Sequence, residues 1–179
     1  WLSGDGDDEG VFVGSTGNVG IGTTTVINGS KLSVDGNVAI ERDSGYYIGN
    51  LPALKMYDGP FLGRSNLFVG SDSAGFDPDE AFNNMSVGIQ AGQNITTGDR
   101  NTAVGTRALT AITMSDNNTS VGSFSLATLV SGGANTVVGM NAGAQTRSGN
   151  SLVFIGDNAG TSLSTSSDSV VIGSQAVGA

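Results

Sequence analysis

The five residues Asn101-Thr102-Ala103-Val104-Gly105 form one copy of a phrase that recurs through the second half of this chain. Close variants of the phrase occupy residues 66–70 (NLFVG), 84–88 (NMSVG), 118–122 (NTSVG) and 135–139 (NTVVG). Two looser copies end in Ile155-Gly156 and Ile172-Gly173. The phrase is therefore a repeat, and its spacing is the first evidence about the fold.

The seven copies follow one another at a nearly fixed interval. Their final glycines are Gly70, Gly88, Gly105, Gly122, Gly139, Gly156 and Gly173. Subtracting successive residue numbers gives 18 for the first interval and 17 for each of the other five. A column of small residues after the glycine keeps an interval of 17 throughout: Ala74, Ala91, Ala108, Ser125, Ala142, Ala159 and Ala176. The extra residue is thus an insertion before Ala74, and the fixed period predicts one solenoid coil per repeat.

The residues before each glycine predict a short strand. The third and first residues before the glycine are Leu67 and Val69, Met85 and Val87, Thr102 and Val104, Thr119 and Val121, Thr136 and Val138, Val153 and Ile155, and Val170 and Ile172. Residues two apart share one face of a strand, and most of these are β-branched. We expect this face to pack inside the coil, so that a charge such as Val104→Asp prevents assembly.

A further apolar column follows the small residue by four positions, at Ile95, Ile112, Leu129, Thr146 (a polar exception) and Leu163. The rest of each repeat is rich in Asn, Ser, Thr, Gly and Asp, which favour turns. About three core residues per repeat are too few for an independent unit, so neighbouring coils must stack. The sequence predicts an all-β fold, a parallel β-roll or β-solenoid with about 17 residues per coil. Because a single stack is thin, we also expect a homotrimer that buries a further face, for which the valine column before each glycine is the candidate.

The composition agrees with a turn-dense β structure and excludes several classes of function. Glycine accounts for 29 of the 179 residues, whereas proline accounts for only 3, which argues against a disordered chain. The net charge of −9 argues against nucleic acid as a partner. The chain has no cysteine and therefore no disulfide or thiolate metal site. No apolar run approaches the roughly 18 residues of a membrane span.

The pattern divides the chain into four segments. Residues 1–16 hold an acidic turn and an N-terminal strand, and residues 17–41 form a linker of short strands separated by Asn-Gly and Asp-Gly turns. Residues 42–65 are a non-repeat junction, and residues 66–179 are the seven-copy repeat domain. All three tyrosines lie in the junction, where they either fill its core or form a ligand-facing surface. The chain begins at Trp1 and stops in mid-pattern, so we expect a segment of a longer protein.

Two stretches resemble known fibrous proteins. The string Gly17-Asn18-Val19-Gly20-Ile21-Gly22-Thr23-Thr24, followed by Lys31-Leu32-Ser33-Val34-Asp35-Gly36-Asn37-Val38, resembles a segment of bacteriophage tail fibres and trimeric bacterial surface fibres. The Asn-Thr-Ala-Val-Gly repeats are similar to repeats of the same proteins and to the head repeats of trimeric autotransporter adhesins. This resemblance implies a left-handed parallel β-roll built from three chains. It also implies an extracellular location, on a virion tail or a bacterial cell surface.

Two acidic clusters are the candidate metal sites. Asp5, Asp7 and Asp8 lie among glycines near the start of the chain, and Asp77 and Asp79 lie near the inserted residue. Calcium prefers such oxygen ligands, but neither cluster completes the spacing of an EF-hand. We therefore expect solvated turns and no cofactor, with calcium as the alternative.

An enzyme is not expected, because the chain has no histidine and its acidic residues show no convincing pairing. Gly20-Ile21-Gly22 lacks the further glycine and the following helix of a nucleotide site. The predicted function is a structural and adhesive fibre segment, which supports attachment to a cell-surface glycan or protein receptor. The alternatives are a polysaccharide-processing tail spike, and an ice-binding solenoid that uses the threonine column of Thr102, Thr119 and Thr136.

Overall fold

A computed structural model describes residues 11–13, 19–21, 32–34, 45–48, 51–58, 65–72 and 80–177. The chain divides into two compact units, Trp1–Ile40 and Glu41–Ala179. The first unit contains β1 (Val11–Val13), β2 (Val19–Ile21) and β3 (Leu32–Val34). Strand β2 lies in the middle of their sheet, antiparallel to β1 and parallel to β3. The predicted segments 1–16 and 17–41 therefore both contribute strands to one small sheet.

The second unit contains a nine-stranded sheet in which the strands follow one another in chain order. It begins with β4 (Gly45–Ile48), β5 (Leu51–Asp58) and β6 (Ser65–Val69), which pair antiparallel. From β6 onward the strands are parallel: β7 (Met85–Val87), β8 (Thr102–Val104), β9 (Thr119–Val121), β10 (Thr136–Val138), β11 (Val153–Ile155) and β12 (Val170–Ile172).

The register of the parallel strands pairs each repeat position with its equivalent in the next copy. Thr102 lies opposite Thr119, and Val104 lies opposite Val121. The same pairing continues through β12, so the chain completes one coil per repeat between neighbouring strands. The predicted all-β parallel solenoid is confirmed.

The junction extends the same sheet. Strand β5 begins at Leu51 and includes Pro52, which lies opposite Tyr47 of β4. A bulge between Tyr46 and Tyr47 shifts the pairing of β4 with β5. The side chains of the three tyrosines lie outside the described part of the structure. Since β5 pairs with β6, the first repeat strand has an antiparallel neighbour on its N-terminal side.

The structure reverses the predicted faces of the repeat strands. In β8 and β9 the middle residue is buried, and the residues on either side of it are half-buried. The inward column is Phe68, Ser86, Ala103, Ser120, Val137, Phe154 and Val171. The prediction that the residues three and one before the glycine pack inside the coil is wrong, and it fails for Val69, Val87, Val104, Val121, Val138, Ile155 and Ile172 alike. These side chains point outward.

The interior is filled by columns whose volumes compensate each other from coil to coil. The predicted column of Ile95, Ile112 and Leu129 is confirmed, because all three are fully buried. The large ring of Phe154 lies against Gly160, where an added Cβ would come within 2.7 Å of the ring. In the coils of Ala103 and Ser120, where the inward strand residue is small, the position after the small column is a buried leucine, Leu109 or Leu126. In the coil of Ser86 that position is Gly92. The compensation in the coils of Ala103, Ser120 and Phe154 keeps the interior close-packed there.

The glycine that ends each strand is required by its backbone. The φ angle of Gly105 is +126°, which favours glycine. A Cβ on Gly105 would also lie 2.6 Å from the carbonyl of Gly122 in the next coil. Each coil therefore turns at its glycine, and the glycines of neighbouring coils lie close together. This keeps the strands in one regular sheet.

Candidate functional site

The candidate site is the outward side of the parallel sheet, which we call the outer face. It consists of the third and first residues before each glycine: Leu67, Val69, Met85, Val87, Thr102, Val104, Thr119, Val121, Thr136, Val138, Val153, Ile155, Val170 and Ile172. None of these side chains is charged. On a chain with a net charge of −9, a continuous uncharged surface requires an explanation.

Large exposed apolar side chains concentrate on this face and its border. Five of them belong to the outer face, namely Met85, Val138, Ile155, Val170 and Ile172. Three more, Ile89, Phe124 and Met140, occupy the two positions that follow the glycine. Only Met114, Val130 and Val177 lie elsewhere among the described residues. The apolar exposure is thus a feature of one side of the solenoid and not of its whole surface.

The size of the outer face bounds what it can bind. Seven parallel strands at a spacing of about 4.8 Å, with outward columns about 7 Å apart, give a face of roughly 33 by 12 Å. That is about 400 Å², roughly half of what one partner buries in a standard protein interface of about 800 Å² per side. A single contact through this face is therefore weak, and its strength grows with the number of coils.

A buried ladder of asparagines decides which side of each strand faces out. Its members are Asn66, Asn84, Asn101, Asn118 and Asn135, all at most 2% exposed. The side-chain oxygen of Asn101 accepts hydrogen bonds from the backbone N–H of Asn118 at 3.0 Å and from its side-chain amide at 3.1 Å. The amide of Asn101 donates to the carbonyl of Ser115 at 2.8 Å. Since alternate residues face opposite sides, an inward asparagine makes the next residue face outward.

The composition of the repeats indicated that these asparagines belong to turns, and the ladder was not predicted. Two features of the sequence could have revealed it: asparagine occupies the same position in five successive copies, and the middle strand residue lies two positions after it, on the same face. The ladder ends at Leu152, whose backbone N–H donates to the side-chain oxygen of Asn135 at 3.0 Å.

Two acidic residues inside the repeats, Asp99 and Asp116, cap backbone groups of the neighbouring coil. A side-chain oxygen of Asp116 accepts the backbone N–H of Asp99 at 2.8 Å, and Asp99 does the same for Phe82 at 2.8 Å. Arg100 lies 3.7 Å from Asp99 and 3.9 Å from Asp116. These carboxylates are thus occupied by structural contacts.

The candidate metal residues Asp5, Asp7, Asp8, Asp77 and Asp79 lie outside the described residues. Within the part of the chain that is described, no three Asp, Glu, His or Cys side chains are grouped so as to hold a metal ion. An open groove of about 480 Å³ lies between the last coils, lined by Ser131, Gly132, Ser148, Gly149, Asn150, Thr165, Ser166 and Ser167. This lining offers neutral hydrogen-bonding groups and no charged side chain.

Comparisons with family models, with curated proteins and with solved structures gave no match for this chain. Among the described residues, no helix is long and apolar enough to cross a membrane.

Proposed function

We propose that this chain is a structural segment of an adhesive fibre, in which copies of the chain associate through the outer face as a homotrimer. In this proposal the segment holds an attachment part at a distance from the particle that carries it. The location is extracellular, on a virion tail or a bacterial cell surface, and the attachment target is a surface glycan or protein. The observation that carries the proposal is the uncharged, apolar outer face.

The chemistry of the outer face favours another copy of the chain as its cover. A sheet face of valine, isoleucine and threonine is complementary to a second such face, and sheets pack face to face about 10 Å apart. Cyclic symmetry around an axis along the coil stack brings equivalent faces together at every coil. The fibre then lengthens by about 4.8 Å for each added coil, which suits a spacer.

Three valines allow a matched test, because they differ in position and receive the same change to aspartate. Val137 is fully buried, Val138 lies on the outer face at 38% exposure, and Val130 lies elsewhere at 57% exposure. Val137→Asp should prevent folding, since it buries an unpaired charge. Val138→Asp should leave the solenoid folded and weaken association by about a hundredfold or more, because an uncompensated buried charge costs about 3–5 kcal/mol. Val130→Asp should do neither.

Far-UV circular dichroism measures folding in this test, and light scattering across a range of concentrations measures association. The wild-type chain should approach three times the 17.9 kDa of one chain as concentration rises. A wild-type chain that stays monomeric at concentrations of about 1 mM, a Kd that corresponds to only about 4 kcal/mol of binding free energy, would refute the proposal. Equal association of the Val130 and Val138 variants would show that copies associate through a different surface.

Ice binding is a second candidate, since the threonine column of Thr102, Thr119 and Thr136 faces outward on adjacent parallel strands that pair in register. The same column carries Leu67, Met85, Val153 and Val170 at its ends, which interrupts a regular hydroxyl array. Thermal hysteresis that is lost on Thr119→Lys would favour ice binding, whereas the fibre proposal expects none.

A further inference from the structure

We propose that the three central rows of the outer face set the register in which copies of this chain associate, so that each coil meets the same coil of its partner. A row is the set of outward side chains of one coil, and it is named here by the third residue before that coil's glycine. The inference rests on the proposed association through the outer face, and its partner is a second copy of this chain.

The register information lies in one column. The first residue before each glycine is valine or isoleucine in every coil, so that column is the same at all heights. The third residue before the glycine changes from apolar to threonine and back, in the order Leu67, Met85, Thr102, Thr119, Thr136, Val153 and Val170. Three threonine rows therefore lie between two apolar rows on each side.

The three hydroxyl groups are available to a partner. Thr102 and Thr119 are half-buried and Thr136 is exposed. Within the described part of the chain, none of the three hydroxyls takes part in a hydrogen bond, whereas the hydroxyl of Thr128, on another side of the coil, donates to the carbonyl of Ala144 at 2.8 Å. A threonine hydroxyl both donates and accepts, so it pairs well with another hydroxyl at the same height.

A shift between copies removes this match. When one copy slips by one coil, Thr102 of one copy lies opposite Met85 of the other copy. At the other end of the threonine rows, Thr136 of that other copy lies opposite Val153 of the first. Each mismatch covers a hydroxyl with apolar atoms and leaves it without a partner, which is unfavourable. The valine and isoleucine column presents the same chemistry at every height, so within the outer face it is the column with the threonines that distinguishes one register from another.

The cyclic symmetry of the proposed association makes the copies parallel, because rotation about an axis along the stack leaves the direction of each stack unchanged. Antiparallel packing would also superimpose the threonine rows, since Thr119 is the middle member of the column. The threonine rows therefore set the relative height of the copies, and the cyclic symmetry sets their relative direction.

Disulfide formation tests the register directly, because the chain contains no cysteine of its own. Val87→Cys and Ile155→Cys should each form disulfides with their own copies. Val87 and Val121 lie two coils apart, a rise of about 10 Å. Disulfides need Cα atoms within about 7 Å, so a mixture of Val87→Cys and Val121→Cys chains should give self-linked products and little mixed product. We expect the self-linked products to exceed the mixed product by about tenfold or more.

The decisive comparison removes the three hydroxyls. Thr102→Val, Thr119→Val and Thr136→Val together should preserve association but permit slipping, so that the mixed Val87–Val121 product becomes abundant. Thr97→Val, Thr113→Val and Thr165→Val form the matched control, because these threonines lie off the outer face and no hydrogen bond from their hydroxyls is found in the described part. The control should leave the products unchanged.

Each other outcome overturns a stated part of the reasoning. Abundant mixed product with the native threonines, or no increase on their removal, would refute the register inference while association stands. A mixed product of Val87→Cys with Ile155→Cys would refute parallel packing, since these residues lie four coils apart, about 19 Å. A chain that light scattering finds monomeric under the same conditions would refute the proposed association itself.

Discussion

Replacing Asn101 by leucine tests the energetic role of the buried asparagine ladder. Asn101 is fully buried and exchanges side-chain hydrogen bonds with the coils on both sides. Leucine has the same branched four-atom skeleton as asparagine, although its volume is larger, and Leu152 occupies the equivalent position three coils later. The substitution therefore removes the side-chain hydrogen bonds and introduces a side chain that this column already accommodates in another coil.

Two backbone groups lose their partners in Asn101→Leu. The carbonyl of Ser115 loses the amide of Asn101 at 2.8 Å, and the backbone N–H of Asn118 loses its side-chain oxygen at 3.0 Å. An unsatisfied buried group costs about 1–3 kcal/mol, so the free energy of unfolding should fall by about 4 kcal/mol. In a chain of this size the melting temperature should fall by roughly 8–16 °C.

Asn94→Leu is the matched control for this prediction. Asn94 is exposed and donates one hydrogen bond, to the carbonyl of Thr110 at 2.7 Å. Its replacement should cost no more than about 1 kcal/mol. Far-UV circular dichroism during chemical denaturation is the suitable assay, because the only tryptophan, Trp1, lies outside the repeats. If Asn101→Leu is as stable as Asn94→Leu, the ladder gives no net stabilisation.

Three further predictions follow from the described contacts. The hydroxyl of Ser86 is buried without a hydrogen-bond partner in the described part, so Ser86→Ala should raise the free energy of unfolding by about 1 kcal/mol. The hydroxyl of Ser120 donates to the hydroxyl of Ser125 at 2.6 Å, so Ser120→Ala should lower the free energy of unfolding by about 1–2 kcal/mol. Equal denaturation midpoints for the two variants would contradict both. Deleting residues 101–117 removes one whole coil and should leave a shorter folded solenoid by circular dichroism. Deleting 101–109 instead leaves about half a coil, which cannot bring the next strand into register, and should unfold the repeats that flank it. A chelator should shift the melting temperature by less than about 3 °C, the effect of roughly 1 kcal/mol, and a larger fall would indicate a structural metal ion.

The sequence by itself determined the architecture of the repeats. The regular recurrence of glycine, as at Gly105 and Gly122, predicted one coil per copy, and the short β-branched runs before these glycines predicted parallel strands in register. The column of Ile95, Ile112 and Leu129 was correctly predicted to be buried. These conclusions follow because a repeat that cannot bury its own apolar residues must stack on its neighbours.

Only the tertiary structure decided which side of each strand faces inward. Alternation of period two is the same for both faces, so Val104 and Ala103 were equally consistent with the core, and the larger β-branched residue was the wrong choice. The choice depends on the hydrogen bonds that Asn101 makes with Asn84 and Asn118, each one coil away in the stack. A local pattern cannot distinguish a turn asparagine from a stacked one, because the stacking partners meet only when the coils form. The same contacts turn the valine column outward and so create the outer face.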